Sequence, residues 1–316
     1  MSEILTPETA VEWGARPLRE ANKRPNIIKA NEQGAWGVCM GVYGPVDVGK
    51  TTFLVDAADS PNGSPVLVID VEGGTRSIAH REDVDVIPIT NEGDMGFQHL
   101  RSWVNDIVQG KVTKPDTGRA YQTIILDNVS DVVGLGVRHI LRTVQRQVAM
   151  TDRPDQNDWG KVNVDLVLLI RSLRDYARVS GVNVLFACGE ASEKSEITGI
   201  TKRDIRANPS FAAQFPGMID MVGLMTFDSN PDIRQITFRS SDKTAARFRR
   251  SEDNDPALLI PDTIKYRRDQ KPIVDILATL KGKQPWPTSK YTRESVLARP
   301  AITSTSTSTS KEKESA

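Results

Sequence analysis

The sequence predicts an α/β protein: a mostly parallel central sheet with helices on both faces and an antiparallel C-terminal extension. Three observations lead there. Short, continuously apolar runs rich in β-branched residues recur along the chain, longer amphipathic stretches separate them, and an Asn-Pro-Asp turn alone joins the last two runs. Strands that are apolar throughout are buried on both faces, as in a parallel sheet covered by crossover helices. A connection too short for a crossover makes the last pair an antiparallel hairpin.

Taken in order, the expected strands are Trp36–Tyr43, Val66–Val71, Thr123–Leu126, Val182–Cys188, Met218–Phe227 and Ile233–Arg239. The expected helices are Thr51–Ala58, Gly96–Val108, Ser130–Gln147 and Lys161–Val179, the last with Val164, Val167, Leu168, Leu173 and Tyr176 at helical spacing. Residues 1–34 read as a polar N-terminal extension and 35–284 as one domain. Residues 285–316, which run into a Thr-Ser alternation, read as a disordered tail with nothing to bury.

Composition narrows the class. With 316 residues, 38% of them hydrophobic, the chain can build a core without disulfides or structural metals. The 41 Lys and Arg balance 41 Asp and Glu, which excludes a uniformly basic coat for nucleic acid and leaves only local patches. Cys39 and Cys188, each in an apolar run, argue for a reducing compartment, and the widely spaced His80, His99 and His139 argue against a metal cluster. No apolar stretch reaches membrane-spanning length and the start is polar, so a cytoplasmic protein without membrane contact is expected.

The strongest motif is Gly44-Pro45-Val46-Asp47-Val48-Gly49-Lys50-Thr51-Thr52, a G-x-x-x-x-G-K-[ST] phosphate loop between an expected strand and an expected helix. Chance produces such a match in a chain this long roughly once in a hundred. Glycines let successive backbone N–H groups turn inward around phosphate, and the helix N-terminus adds partial positive charge. Lys50 is placed to reach the β- and γ-phosphates of ATP, and the Thr51 hydroxyl to ligate Mg²⁺. Asp47, an acid inside the loop, must point away from the phosphates.

Two further acids stand at strand ends. Thr123-Ile-Ile-Leu-Asp127 delivers a carboxylate suited to hold the metal, with Ser130 as a cap for the next helix. Val66-Leu-Val-Ile-Asp70-Val-Glu72 delivers Glu72 to the carboxyl edge, where a carboxylate can orient and deprotonate an attacking water.

These motifs resemble RecA-like ATPases, and more closely the small phage RecA-like proteins of recombination and single-strand annealing. GPVDVGKTT is similar to their phosphate loop, and VIDVEGG to their strand ending in D-x-E, whose Glu is the catalytic base. The resemblance implies ATP bound at a boundary between self-associating subunits. It places Glu190 of LFACGE where the family has a Gln that senses the γ-phosphate, a departure, because an ionised acid donates no hydrogen bond. It also makes Lys243 and Arg247, in SSDKTAARF, candidates for cations that act on a neighbour's phosphate, with Arg239, Arg249 and Arg250 close in sequence.

By the same resemblance, two connections poor in apolar residues occupy the positions of DNA-binding loops. Arg142–Lys161 holds Arg146, Arg153, Trp159 and Lys161, and Ala191–Asn208 holds Lys194, Lys202, Arg203 and Arg206. The expected function is ATP hydrolysis coupled to single-stranded DNA, with a phage or host single-strand binding protein as a further partner. The alternative is a P-loop regulator or assembly factor that switches a protein partner. A small-molecule kinase ranks third, since no Arg-rich lid lies between the second and third strands.

Overall fold

The computed structural model describes residues 37–90, 95–145, 153–194, 196, 199–248 and 259–297. The strands are β1 (Cys39–Gly44), β2 (Val66–Asp70), β3 (Val84–Pro88), β4 (Thr123–Asp127), β5 (Asn183–Lys194), β6 (Thr201–Ile205), β7 (Met221–Phe227), β8 (Ile233–Thr237), β9 (Arg247–Phe248) and β10 (Thr263–Arg267). The helices are α1 (Lys50–Val55), α2 (Gly96–Val108), α3 (Val129–Gln145), α4 (Gln156–Ser180), α5 (Pro209–Met218), α6 (Pro272–Leu280) and α7 (Arg293–Leu297).

The main path of the sheet runs β10-β8-β7-β1-β5-β4-β2-β3. From β7 to β3 all neighbours are parallel, while β8 and β10 extend the β7 edge antiparallel. Alternate residues of the central strands enter two separate cores. Ile124 and Leu126 of β4, with Val184 and Phe186 of β5, pack under α2–α5, whereas Ile125 and Leu185 face α1 and α6. The uninterrupted apolar runs are therefore the sequence signature of a two-faced sheet.

Helix ends follow local chemistry. α4 begins at a reciprocal capping box in which Asp155 accepts from the Asp158 N–H at 2.8 Å, and it ends at Gly181 with φ 75°. This start turns residues 156–160, expected in a loop, into helix. α1 is shorter than expected because Asp56–Asp59 tightens into a 3-10 turn.

β3, β6, β9 and β10 escaped the sequence reading. β3 and β10 lie at the two edges and bury only two residues each, Val84 and Ile87 in β3 and Ile264 and Tyr266 in β10, and β6 buries Ile205 alone. The boundary at 284 also moves. Trp286 is buried and stacks on Tyr291 with ring centroids 5.0 Å apart, and Tyr291 Oη and Lys290 Nζ both donate to Asp275 of α6, at 2.5 and 2.6 Å. Residues 285–297 thus pack on the domain, because one Trp and one Val296 supply the apolar area that the tail as a whole lacks. The first expected loop begins later than Arg142, since α3 runs to Gln145. Residues 1–34, residues 146–152 with Arg146, Arg249 and Arg250, and the Thr-Ser segment lie outside the described residues.

Candidate nucleotide site

β1 and α1 flank the Gly44–Thr52 loop, whose backbone turns through the left-handed region at Asp47 (φ 64°) and Gly49 (φ 91°). Asp47 is exposed, as an acid in a phosphate loop has to be. Lys50 Nζ folds onto the loop, donating to the Gly44 and Pro45 carbonyls at 3.1 and 2.8 Å. Burial holds its ammonium below the ordinary lysine range, and Glu72 and Asp127 pull the other way. A cation so poorly hydrated binds an arriving phosphate at little desolvation cost.

Sequence reasoning missed Arg234 of β8. Its Nε donates to the Val48 carbonyl at 2.7 Å, and a Cβ at Gly49 would stand 3.3 Å from the same atom. The guanidinium thus clamps the turn, and the glycine is required both for its φ and for this close approach.

β4 brings Asp127 beside the loop. Thr51 Oγ1 donates to Asp127 Oδ2 at 2.5 Å, while Asp127 Oδ1 is buried without a hydrogen-bond partner among the described residues. Burial raises this carboxyl to about 6, offset in part by the Thr51 bond and reinforced by Glu72 and Asp70. A hydroxyl and a carboxylate with an oxygen to spare suit a hard cation such as Mg²⁺, which takes few protein ligands and keeps the rest for phosphate and water. Thr51 and Asp127 would hold it, and it would supply charge to the phosphate oxygens.

β2 brings Glu72. Asp70 accepts from the Gly73 N–H at 2.8 Å and the Thr75 hydroxyl at 2.7 Å, building the turn that leaves Glu72 exposed. Buried Asn128 donates to Glu72 Oε2 at 2.6 Å and accepts the Asp131 N–H at 2.9 Å. Asn128, not Ser130, therefore caps α3. The Ser130 hydroxyl instead accepts the Gly189 N–H at 2.9 Å. Asn128 orients the candidate base, and its only sequence signal is its place immediately after Asp127.

Within the second expected DNA loop β5 runs on past the sheet and pairs antiparallel with β6 as a hairpin, from Glu190↔Ile205 to Lys194↔Thr201. At its root Glu190 Oε1 lies 3.5 Å from Arg203 Nε, and the Tyr43 hydroxyl, one residue before the phosphate loop, donates to the Arg203 carbonyl at 3.3 Å. Lys202 pairs with Asp204 at 3.0 Å and Arg206 with Asp131 at 3.8 Å, while Lys194 is exposed at the end of β5. Lys243 lies exposed on a segment that hydrogen-bonds to β6 through its own carbonyl. Arg247 donates to the Pro216 carbonyl at 3.3 Å and sits opposite Val222, level with Gly41 of β1. In the first connection Arg153 is exposed, Lys161 pairs with Asp158 at 3.7 Å, and Trp159 packs partly on the core.

A phosphate loop, a metal-suited Thr–Asp pair and an oriented Glu at the carboxyl edge of a parallel sheet define a P-loop nucleotide-binding domain of the ATPase type. Residues 37–250 match the family described as the AAA domain, and the chain belongs to that family. No curated protein matches it. One similar solved structure is that of the RadB recombinase, 14% identical, covering 74% of this chain and 88% of that one with a TM-score of 0.37. Another is the flagellar accessory protein FlaH from Methanocaldococcus jannaschii, 10% identical, covering 75% and 88% with a TM-score of 0.39. Among the described residues no helix is long and apolar enough to cross a membrane.

Proposed function

We propose that the protein is a RecA-like ATPase of phage recombination or annealing that hydrolyses ATP while acting on single-stranded DNA. The observation that carries the reading is the bonded path from the nucleotide site to the hairpin, through Tyr43 to Arg203 and through Ser130 to Gly189. Lys50 and the loop N–H groups bind the phosphates. Glu72, held by Asn128, takes a proton from water as the water oxygen bonds to the γ-phosphorus and the bond to ADP breaks, leaving ADP and inorganic phosphate. Arg247, turned to Pro216 and distant in register from its own phosphate loop, and Lys243 serve a neighbouring subunit's γ-phosphate. Arg153, Lys161, Lys194, Lys202, Arg203 and Arg206 meet the DNA backbone.

One observation favours a second reading, a nucleotide switch for a protein partner. Lys202, Arg203 and Arg206 each already have a carboxylate within 4 Å. Steady-state ATP hydrolysis with and without single-stranded DNA, at low and moderate salt, decides between them, with Lys50→Ala as the control. We expect stimulation that fades as salt rises, because phosphate contacts release counterions. Hydrolysis indifferent to DNA at every salt, yet abolished by Lys50→Ala, leaves the protein-directed switch.

A further inference from the structure

The start of α4, the start of α3 and the segment leaving β6 line an open cavity of about 860 Å³ with a mostly apolar wall. Trp159 lays part of its indole on the core beneath α4 and lines the cavity with the rest. Beside it Gly160 leaves open space: apart from its chain neighbours and the backbone of its own helix, no atom lies within 4 Å of where a Cβ would stand. Asn163, one turn further along α4, also lines the cavity. Arg206 lines the cavity, and Lys161 and the exposed Arg153 are close to its α4 wall in sequence. Arg206 and Lys161 have Asp131 and Asp158 at 3.8 and 3.7 Å, long pairings that a phosphate can replace.

A flat ring surface, room beside it, an amide in the wall and a cation at the rim together match a nucleotide whose base is unstacked from its neighbours. We propose that this cavity receives a base of the bound single strand, with Trp159 as the stacking surface and Arg206 beside the backbone phosphate. Every base has a π-face, so the site is tolerant of sequence, and it takes no base still paired within a duplex. Ser130 lines the same cavity while holding the Gly189 N–H, so an inserted base touches the element that joins the hairpin to the nucleotide site. The inference rests on the DNA reading above and adds to it where a base goes.

The test is fluorescence anisotropy of a labelled oligo-dT and of an abasic strand of equal length and charge, with the full chain and a non-hydrolysable ATP analogue at one salt concentration. For the natural protein we expect oligo-dT to bind about tenfold more tightly than the abasic strand. Trp159→Ala is expected to erase that preference while leaving the abasic affinity in place, and Trp159→Phe to keep most of it. Gly160→Leu, which favours the helix and fills the space beside the indole, is expected to erase it as well. Equal binding of the two strands by the natural protein, or equal weakening of both by Trp159→Ala and Gly160→Leu, overturns the base site and leaves the DNA reading standing. Binding of neither strand at any salt overturns the DNA reading, and the base site with it.

Discussion

Asp127 serves two ends that conflict when no nucleotide is bound. One oxygen fastens Thr51, and the other is buried with no partner among the described residues, so the charge that suits a cation burdens the fold. Its carboxyl sits at about 6 against an ordinary 3.8, so the folded protein binds this proton more tightly than the unfolded chain. Its contribution is present at low pH and fades as pH rises through that window, ending as a deficit on the order of 2–3 kcal/mol near pH 7. Asp127→Asn should raise the melting temperature of the nucleotide-free protein near pH 7, make little difference near pH 4, and remove the extra stabilisation by Mg²⁺-ATP. Scanning calorimetry at the two pH values checks this, and an equal gain at both would assign the effect to packing.

At the scale of elements, β8 does more than widen the sheet. Through Arg234 it holds the Val48 carbonyl, so an antiparallel edge strand sets the shape of a loop 186 residues earlier. Arg234→Ala leaves the loop's sequence intact but loosens its turn. We expect the KM for ATP to rise about tenfold with kcat within about twofold, a loss of uniform binding that initial-rate kinetics resolves. An unchanged KM would show that the loop keeps its shape unaided. The elements themselves were legible where they are buried on both faces, as in β1, β2, β4, β5 and β7. They were not legible at the edges, where Asp85 in β3 and Lys265 in β10 interrupt the apolar runs.

At the scale of the molecule, the proposed roles of Lys243 and Arg247 require a second subunit. If these cations act across a boundary, Lys50→Ala protein and an Arg247→Ala or Lys243→Ala protein, each inactive alone, complement one another. Mixed in equal amounts, they should recover roughly a quarter of the competent interfaces, since one mutant lends its intact phosphate loop and the other its intact cation. ATPase assays of the mixture measure this directly, and no recovery over either mutant alone would place the cations in structural roles within their own chain.

The sequence by itself determined the α/β class and the placement of Lys50, Thr51, Asp127 and Glu72. A phosphate loop is contiguous in the chain, and a buried strand announces its final acid by the apolar run before it. Tertiary structure alone decided how those groups are held: Asn128 on Glu72, Arg234 on Val48, Tyr43 on Arg203 and Ser130 on Gly189 join residues 56 to 186 positions apart. Such a bond needs only one polar atom on each side and leaves no periodicity in the chain. Only tertiary structure, too, paired residues 190–194 with 201–205 as a hairpin. Its strands pair through backbone groups that every residue carries, so a polar sequence conceals them.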